Sequence, residues 1–347
     1  MKRTRLGITI LQTMALYIGL SSTPSQAQEP IVNVSDHQFN YTATTLPSVA
    51  AVGGKLYVAY QVGTGTTVNV EMFPDNSGKG NSQIFSSPGD GYRYPLIMAY
   101  NEKLYLLFMG ADGHFNLTQL ERNTDGTISA WTNQKQSSGW ISPTQMSVAV
   151  PTSTGMVMLW QDGSKQHIAS LNPVQQTANV QTKSKGKPRK EKKTIKALTQ
   201  AEPIVNVSDH QFSYSGGTFP SMASVGGKLY VAYQAGAGTT VNVEMFPDNS
   251  GKGGSQTFSS PTDGYRYPWI VSYNGVLYLV FMGADGRFNL TVLERDATGK
   301  VVAWTNRKQT SGWMSPTRMS VAVPTSTGMV ILWQDGSIEH IGSLRPK

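Results

Sequence analysis

From Pro47 onward, short apolar runs alternate with clusters of Gly, Asp, Asn and Pro. SVAAV and KLYVAYQ flank Gly53-Gly54, and TTVNVEMF follows a Gly-rich turn. LIMAY and KLYLLFM come next, then a turn at Gly110-Ala111-Asp112-Gly113 and FNLTQLE. A third set reads MSVAV, GMVMLWQ, a turn at Asp162-Gly163 and QHIASL. Runs this short, rich in Val, Tyr, Leu, Ile and Phe and bounded by turn formers, are strand signals. No segment of this body sustains a 3.6-residue period over three turns. The pattern predicts an all-β protein.

The sets recur at fixed intervals. Pro47, Pro95 and Pro143 are 48 residues apart, and Pro220, Pro268 and Pro316 repeat that spacing. Residue n also matches residue n + 173 without a gap from Glu29 to Asn172, with roughly three quarters of the positions identical. Each 48-residue unit supplies about four strands, the fourth being SQIFSS or ISAWTN before the next proline. Four strands in that length is the size of a β-propeller blade. After QHIASL, and again at IGSLRPK, a unit stops one strand short, while IVNVSDH is left over at 31–37 and at 204–210. The arithmetic predicts a six-bladed β-propeller of four-stranded blades, in which 31–37 closes the last blade and 204–210 completes the third. Closure pairs backbone groups that an open edge would leave unpaired. The alternative is two half-rings, each pairing with another chain.

The chain has 347 residues, no cysteine and a formal net charge of +8. Without cysteine there is no disulfide scaffold, thiolate zinc site or thiol nucleophile. The charge suggests nucleic acid until it is located. Residues 1–28 carry Lys2, Arg3 and Arg5, and residues 174–201 carry eight basic residues against Glu191 alone. The remaining body is slightly acidic, so it offers no basic surface for specific nucleic-acid binding. Residues 1–27 read as a secretory signal: a basic start, an apolar stretch from Leu6 to Leu20 and a small-residue site at Ser25-Gln26-Ala27. Export without cysteine points to a bacterial periplasmic or secreted protein, with no membrane span after processing. Residues 174–201 have no apolar period and read as a basic flexible linker between 28–173 and 202–347.

The repeat bears on chemistry. Hydrolytic catalysis generally needs one asymmetric arrangement of groups with different pKa values. Here polar residues come in near-identical pairs half a chain apart, which suits multivalent binding. No catalytic residues, metal ligands or cofactor are assigned. There is no P-loop, HExxH or regular calcium-loop pattern. His114 is replaced by Arg287 in the other half, and Ser35-Asp36-His37 fails as a triad because neighbouring strand residues point to opposite faces. The candidate ligand-binding residues lie around the loops entering the innermost strands. Tyr92-Arg93-Tyr94 and Tyr265-Arg266-Tyr267 place a guanidinium among aromatic rings, and Trp140 and Trp313 stand at the matching place one blade later. Gln161-Asp162 and Gln334-Asp335, ending second strands, add acceptors. Aromatic faces pack on sugar C–H groups while such polar forks bond adjacent hydroxyls.

With these motifs in view, the chain resembles the β-propeller lectins, secreted bacterial and fungal sugar-binding proteins built from near-identical blades. The resemblance rests on the 48-residue unit, the KLYVAYQ, KLYLLFM and MVMLWQDG hairpins and the repeated loop aromatics. Six-bladed fucose-binding members carry an Arg, a Glu and a Trp in nearly every blade. The resemblance implies Arg93 and Arg266 with Glu71, Glu244, Glu121 and Glu294 as acidic partners. The Asp-box of sialidases is absent, and SSPGDGYRY at 86–94 is only a faint match. The expected function is a secreted, multivalent, non-catalytic carbohydrate-binding protein whose partners are glycans, with room for an oligomer. The alternatives are a periplasmic or extracellular protein-interaction scaffold and, less favoured, a glycoside hydrolase.

Overall fold

The computed structural model describes residues 32–37, 47–62, 67–75, 82–87, 92–131, 136–137, 145–152, 155–162, 165–171, 205–210, 220–235, 240–248, 255–260, 266–284, 286–304, 309–310, 318–326, 328–335 and 338–344. Residues 1–27, read as a leader, residues 174–201, read as a linker, and Trp140, Tyr265 and Trp313 lie outside them. Among the described residues, every regular element is a strand, and no helix is long and apolar enough to cross a membrane.

The strands form six antiparallel sheets. Blade one comprises Ser48–Val52, Lys55–Gln61, Val68–Phe73 and Gln83–Ser86, from the axis outward. Blade two comprises Arg93–Tyr100, Lys103–Met109 and Phe115–Arg122, with both Ile128–Trp131 and Gln136–Ser137 pairing to the third strand. Blade three begins Gln145–Thr152, Gly155–Asp162, Lys165–Leu171 and ends with Val205–His210, from beyond the linker. Blades four and five repeat one and two. They begin at Ser221–Val225 and Arg266–Tyr273. Blade six runs Arg318–Thr325, Gly328–Asp335, Ile338–Leu344 and takes its outermost strand, Val32–His37, from the other end of the chain. The innermost strands touch in cyclic order, blade six meeting blade one. The chain is thus a six-bladed β-propeller closed by its N-terminal strand, and one chain supplies the whole ring rather than a half-ring.

Strand alternation makes both faces of each blade apolar, because each is sandwiched between neighbours. In blade one, Leu56, Val58 and Tyr60 join the cluster shared with blade six, while Tyr57, Ala59 and Val70 pack with Ile97, Leu106 and Phe108 of blade two. Buried polar links add register between blades. The Ser48 hydroxyl accepts the Ile97 amide at 2.8 Å, and Ser221 accepts that of Ile270 at 2.9 Å. The Tyr57 hydroxyl donates to the Gly126 carbonyl at 2.8 Å. Gly126 has φ 92°, and a Cβ there would stand 2.2 Å from Lys55 Cδ, so only glycine fits the close approach.

Four innermost strands carry an extra residue. In blade two, Arg93 pairs with Met109 but Leu96 with Leu107; blade five repeats this between Arg266 and Trp269. The bulge puts Tyr94 and Tyr267 at φ 51° and 50°. Both precede a proline, a position that ordinarily stays extended. A non-glycine residue in the left-handed region costs about 1–3 kcal/mol, which surrounding packing must offset.

Ring closure generates a prediction. Val32–His37 pairs from Val32 opposite Ser343 to His37 opposite Glu339, with one register shift between Asn33 and Ser35. Deleting residues 29–37 removes several backbone bonds worth about 1 kcal/mol each and should lower the melting temperature by about 10 °C, with aggregation through the exposed edge of Ile338–Leu344. Deleting 174–201 leaves five residues to join Leu171 to Val205 and should leave melting unchanged. Circular dichroism melts of both variants check the contrast.

Candidate functional site

The innermost strands begin, and the second strands end, on one face of the ring. That face carries Arg93, Arg266, Gln161, Asp162, Gln334 and Asp335. Leu171 and Val205, which border the linker, lie at the opposite face, as do Leu344 and Val32. The candidate residues therefore share a rim, opposite the face that holds Leu171, Val205, Leu344 and Val32. Blade order and strand alternation then distribute them among three kinds of crevice, each occurring twice.

The first kind lies between blades one and two and between four and five. Tyr92 meets Phe108 edge-on at 4.8 Å and Trp131 edge-on at 5.4 Å. Phe108 lies parallel to Trp131 at 5.5 Å, and Phe85 of blade one closes the group at 6.1 Å from Trp131. The Trp131 indole N–H is out of solvent and has no hydrogen-bond partner among the described residues. Buried indoles usually find an acceptor. In the second copy Phe281 meets Trp304 at 5.2 Å.

The second kind lies between blades two and three and between five and six. Tyr94 packs here rather than with Tyr92, because the bulge turns the two tyrosines to opposite sides of blade two. Arg93 is exposed at the rim. Its register row continues through Met109 and Phe115. Facing that row, blade three presents Trp160, which meets Phe115 edge-on at 5.8 Å and stacks on His167 at 4.2 Å. Asp209 stands opposite His167 in the outermost strand. The second copy holds Arg266 and Tyr267, with Phe288 at 5.9 Å from Trp333 and Trp333 stacked on His340 at 4.9 Å. Neither the Arg93 nor the Arg266 guanidinium has a hydrogen bond or ion pair with another described residue.

The third kind lies between blades three and four and between six and one. In the backbone register Gln161 stands opposite Gln145 and Gln166, and Gln166 opposite His210. In blade six the same row reads Arg318, Gln334, Glu339 and His37. Blades four and one each bury a phenol–carboxylate pair. Tyr233 donates to Glu244 Oε1 at 2.5 Å while Ser255 donates to Oε2 at 2.6 Å, and Tyr60 donates to Glu71 at 2.5 Å. Burial, reinforced by the neighbouring carboxylate, pushes both phenols well above the ordinary tyrosine range.

Tyr92 and Tyr94 therefore part company, one toward blade one and the other toward blade three. Glu71 sits two interfaces away from Arg93 and Glu244 two from Arg266, so the structure does not pair these acids with these arginines. Glu121 and Glu294 are exposed on third strands. Trp131, Trp160 and the Tyr60–Glu71 pair belong to the rim although only their repeated motifs, AWTN, LWQDG and VNVEMF, signalled them in sequence. No group of three or more His, Asp or Glu residues among the described ones is placed to hold a metal ion.

Six radial blades with repeated aromatic crevices on one rim define a six-bladed β-propeller. No protein-family model matches the chain, and comparison with characterised proteins finds no similar sequence. Solved structures do match. AofleA from Arthrobotrys oligospora aligns with a TM-score of 0.54 and 10% identity, over 88% of this chain and 86% of that one. The Aleuria aurantia lectin, described as a six-bladed β-propeller with a novel fucose recognition mode, aligns at 0.52 and 11%, over 88% and 97%. A variant of that lectin in complex with alpha-methyl-L-fucoside aligns at 0.50 and 12%, over 86% and 94%. At these identities the likeness is one of fold.

The buried phenols set an alkaline limit. Their folded pKa values are raised above the ordinary tyrosine value of 10.0. Their stabilising contribution is therefore complete below pH 10 and is lost as pH climbs through the raised values. Tyr233→Phe removes a bond to a buried carboxylate and should cost about 1.5–3 kcal/mol at pH 8, with a smaller penalty at pH 11. Urea melts at the two pH values check this.

Proposed function

We propose that the protein is a secreted, non-catalytic lectin that binds glycans through repeated crevices on one rim of its propeller. The observation that carries this reading is the exposed Arg93 on the strand whose Tyr94 packs with Trp160, itself stacked on His167, and its recurrence as Arg266, Tyr267, Trp333 and His340 half a ring away. An apolar aromatic floor beneath an exposed, uncommitted guanidinium suits a saccharide, which offers a C–H face and adjacent hydroxyls. Similarly folded lectins that recognise fucose support a carbohydrate ligand. Duplication of the crevices supports multivalency, since two weak sites reinforce each other on a surface displaying many glycans. The leader at 1–27 supports export to the periplasm or beyond.

A glycan array probed with the mature chain tests the reading. The expected result is binding to at least one glycan class. Each charge-assisted hydrogen bond to ligand is worth roughly 1.5–3 kcal/mol, so combining Arg93→Ala with Arg266→Ala should weaken binding at least about tenfold. No binding to any glycan at high protein concentration would overturn it.

A further inference from the structure

The two halves differ inside the proposed saccharide crevices. Residue 96 is leucine, and its counterpart 173 positions on, residue 269, is tryptophan. Both lie on innermost strands, one step inward from the exposed arginine. Arg93 stands opposite Met109 and Leu96 opposite Leu107, while Arg266 stands opposite Met282 and Trp269 opposite Val280. Leu96 packs with Tyr94 against the cluster that holds Phe115, Met158 and Trp160. Trp269 packs in the cluster that holds Phe288, Ile331 and Trp333, and Tyr267 lies against it. Each therefore faces the crevice of the second kind, next along the blade from the tyrosine that follows the arginine. Other exchanges in these crevices, Met98 for Val271, Leu107 for Val280 and Met158 for Ile331, are buried in both copies and out of a ligand's reach.

The exchange at 96 and 269 changes what the crevice leaves open. Leu96 is half-buried, and so are Tyr94 beside it and Ala149, which reaches the same cluster from the innermost strand of blade three. Three half-buried side chains meeting on innermost strands leave an accessible apolar recess at the axial end of this crevice. Trp269 is only 7% exposed, so its indole occupies the space that leucine leaves free. Donors border the recess. The Arg93 guanidinium is exposed, and the Tyr94 hydroxyl has no hydrogen bond with another described residue. An acetamido group joins a methyl to a carbonyl acceptor, which matches an apolar wall beside such donors. A plain hydroxyl has no methyl to bury, and a deoxy methyl has no acceptor attached to it.

We infer that the crevice between blades two and three reads the acetamido group of N-acetylated sugars, whereas the crevice between blades five and six binds the sugar ring with no gain from that group, residues 96 and 269 setting the difference. This rests on the lectin reading, and the two fail differently. Leu96→Trp and Trp269→Leu each introduce the residue that the other half already carries. Ala149→Leu narrows the same recess from its opposite wall, so the inference can be tested even if Leu96→Trp does not fold, which circular dichroism melts show.

The probe is an array in which glucose is printed beside N-acetylglucosamine and galactose beside N-acetylgalactosamine, read with the full mature chain. Arg266→Ala leaves the first crevice to be read by itself, and Arg93→Ala leaves the second. Arg266→Ala should favour the acetamido member of a pair by about fourfold or more, the scale of burying one methyl group. Arg93→Ala should show no such preference. Adding Leu96→Trp or Ala149→Leu to Arg266→Ala should abolish the preference, and adding Trp269→Leu to Arg93→Ala should create it. Glycan binding without an acetamido preference, or with one that survives both Leu96→Trp and Ala149→Leu, overturns the inference and leaves the lectin reading standing. Absence of all glycan binding overturns both.

Discussion

The whole architecture depends on backbone hydrogen bonding between segments that are remote in sequence. Val32–His37 completes the sheet begun by Arg318–Thr325, and Val205–His210 completes one begun before the linker. An antiparallel edge left open at either place would be a template for aggregation. Closing both edges within one chain removes that hazard without a disulfide, consistent with a sequence that has no cysteine. It also fixes every blade against two neighbours, which is why both faces of each sheet are apolar. Parallel inner strands, a shared rim and inter-blade crevices all follow from that closure.

Closure turns repetition in sequence into repetition in space. Because the halves are offset by three blades, each crevice recurs on the opposite side of the axis. Within a blade, alternation sends neighbouring residues to different crevices, so a compact sequence motif need not be a compact site. Leu171 and Val205, like Leu344 and Val32, stand at the face away from the crevices. The net charge is carried mostly by residues 1–28 and 174–201, so the charge of the full chain says little about the ligand that the rim receives.

The blade count, strand order and ring closure were legible because they rest on spacing: prolines every 48 residues and an unused IVNVSDH strand at each half. The division of the site was not legible. A residue before proline is expected to be extended, so nothing in Arg93-Tyr94-Pro95 announced a left-handed Tyr94 or the bulge that separates it from Tyr92. Glu71 could be recognised as an acid on a third strand, but its burial beside Tyr60 depends on which face of blade one meets blade six. Trp131 and Trp160 read as ordinary strand residues because their roles arise only when adjacent blades bring Phe85, Tyr92 or Phe115 against them. Periodicity specifies the ring, and packing between remote repeats specifies the crevices.

The central claim is that equivalent crevices on one rim bind saccharide. Calorimetric titration of the mature chain with the best-bound free oligosaccharide measures the number of sites per chain directly. The account predicts at least two, since every crevice occurs twice in the ring. A single saccharide site per chain, or heat of binding unaffected by changing both Arg93 and Arg266, would contradict it.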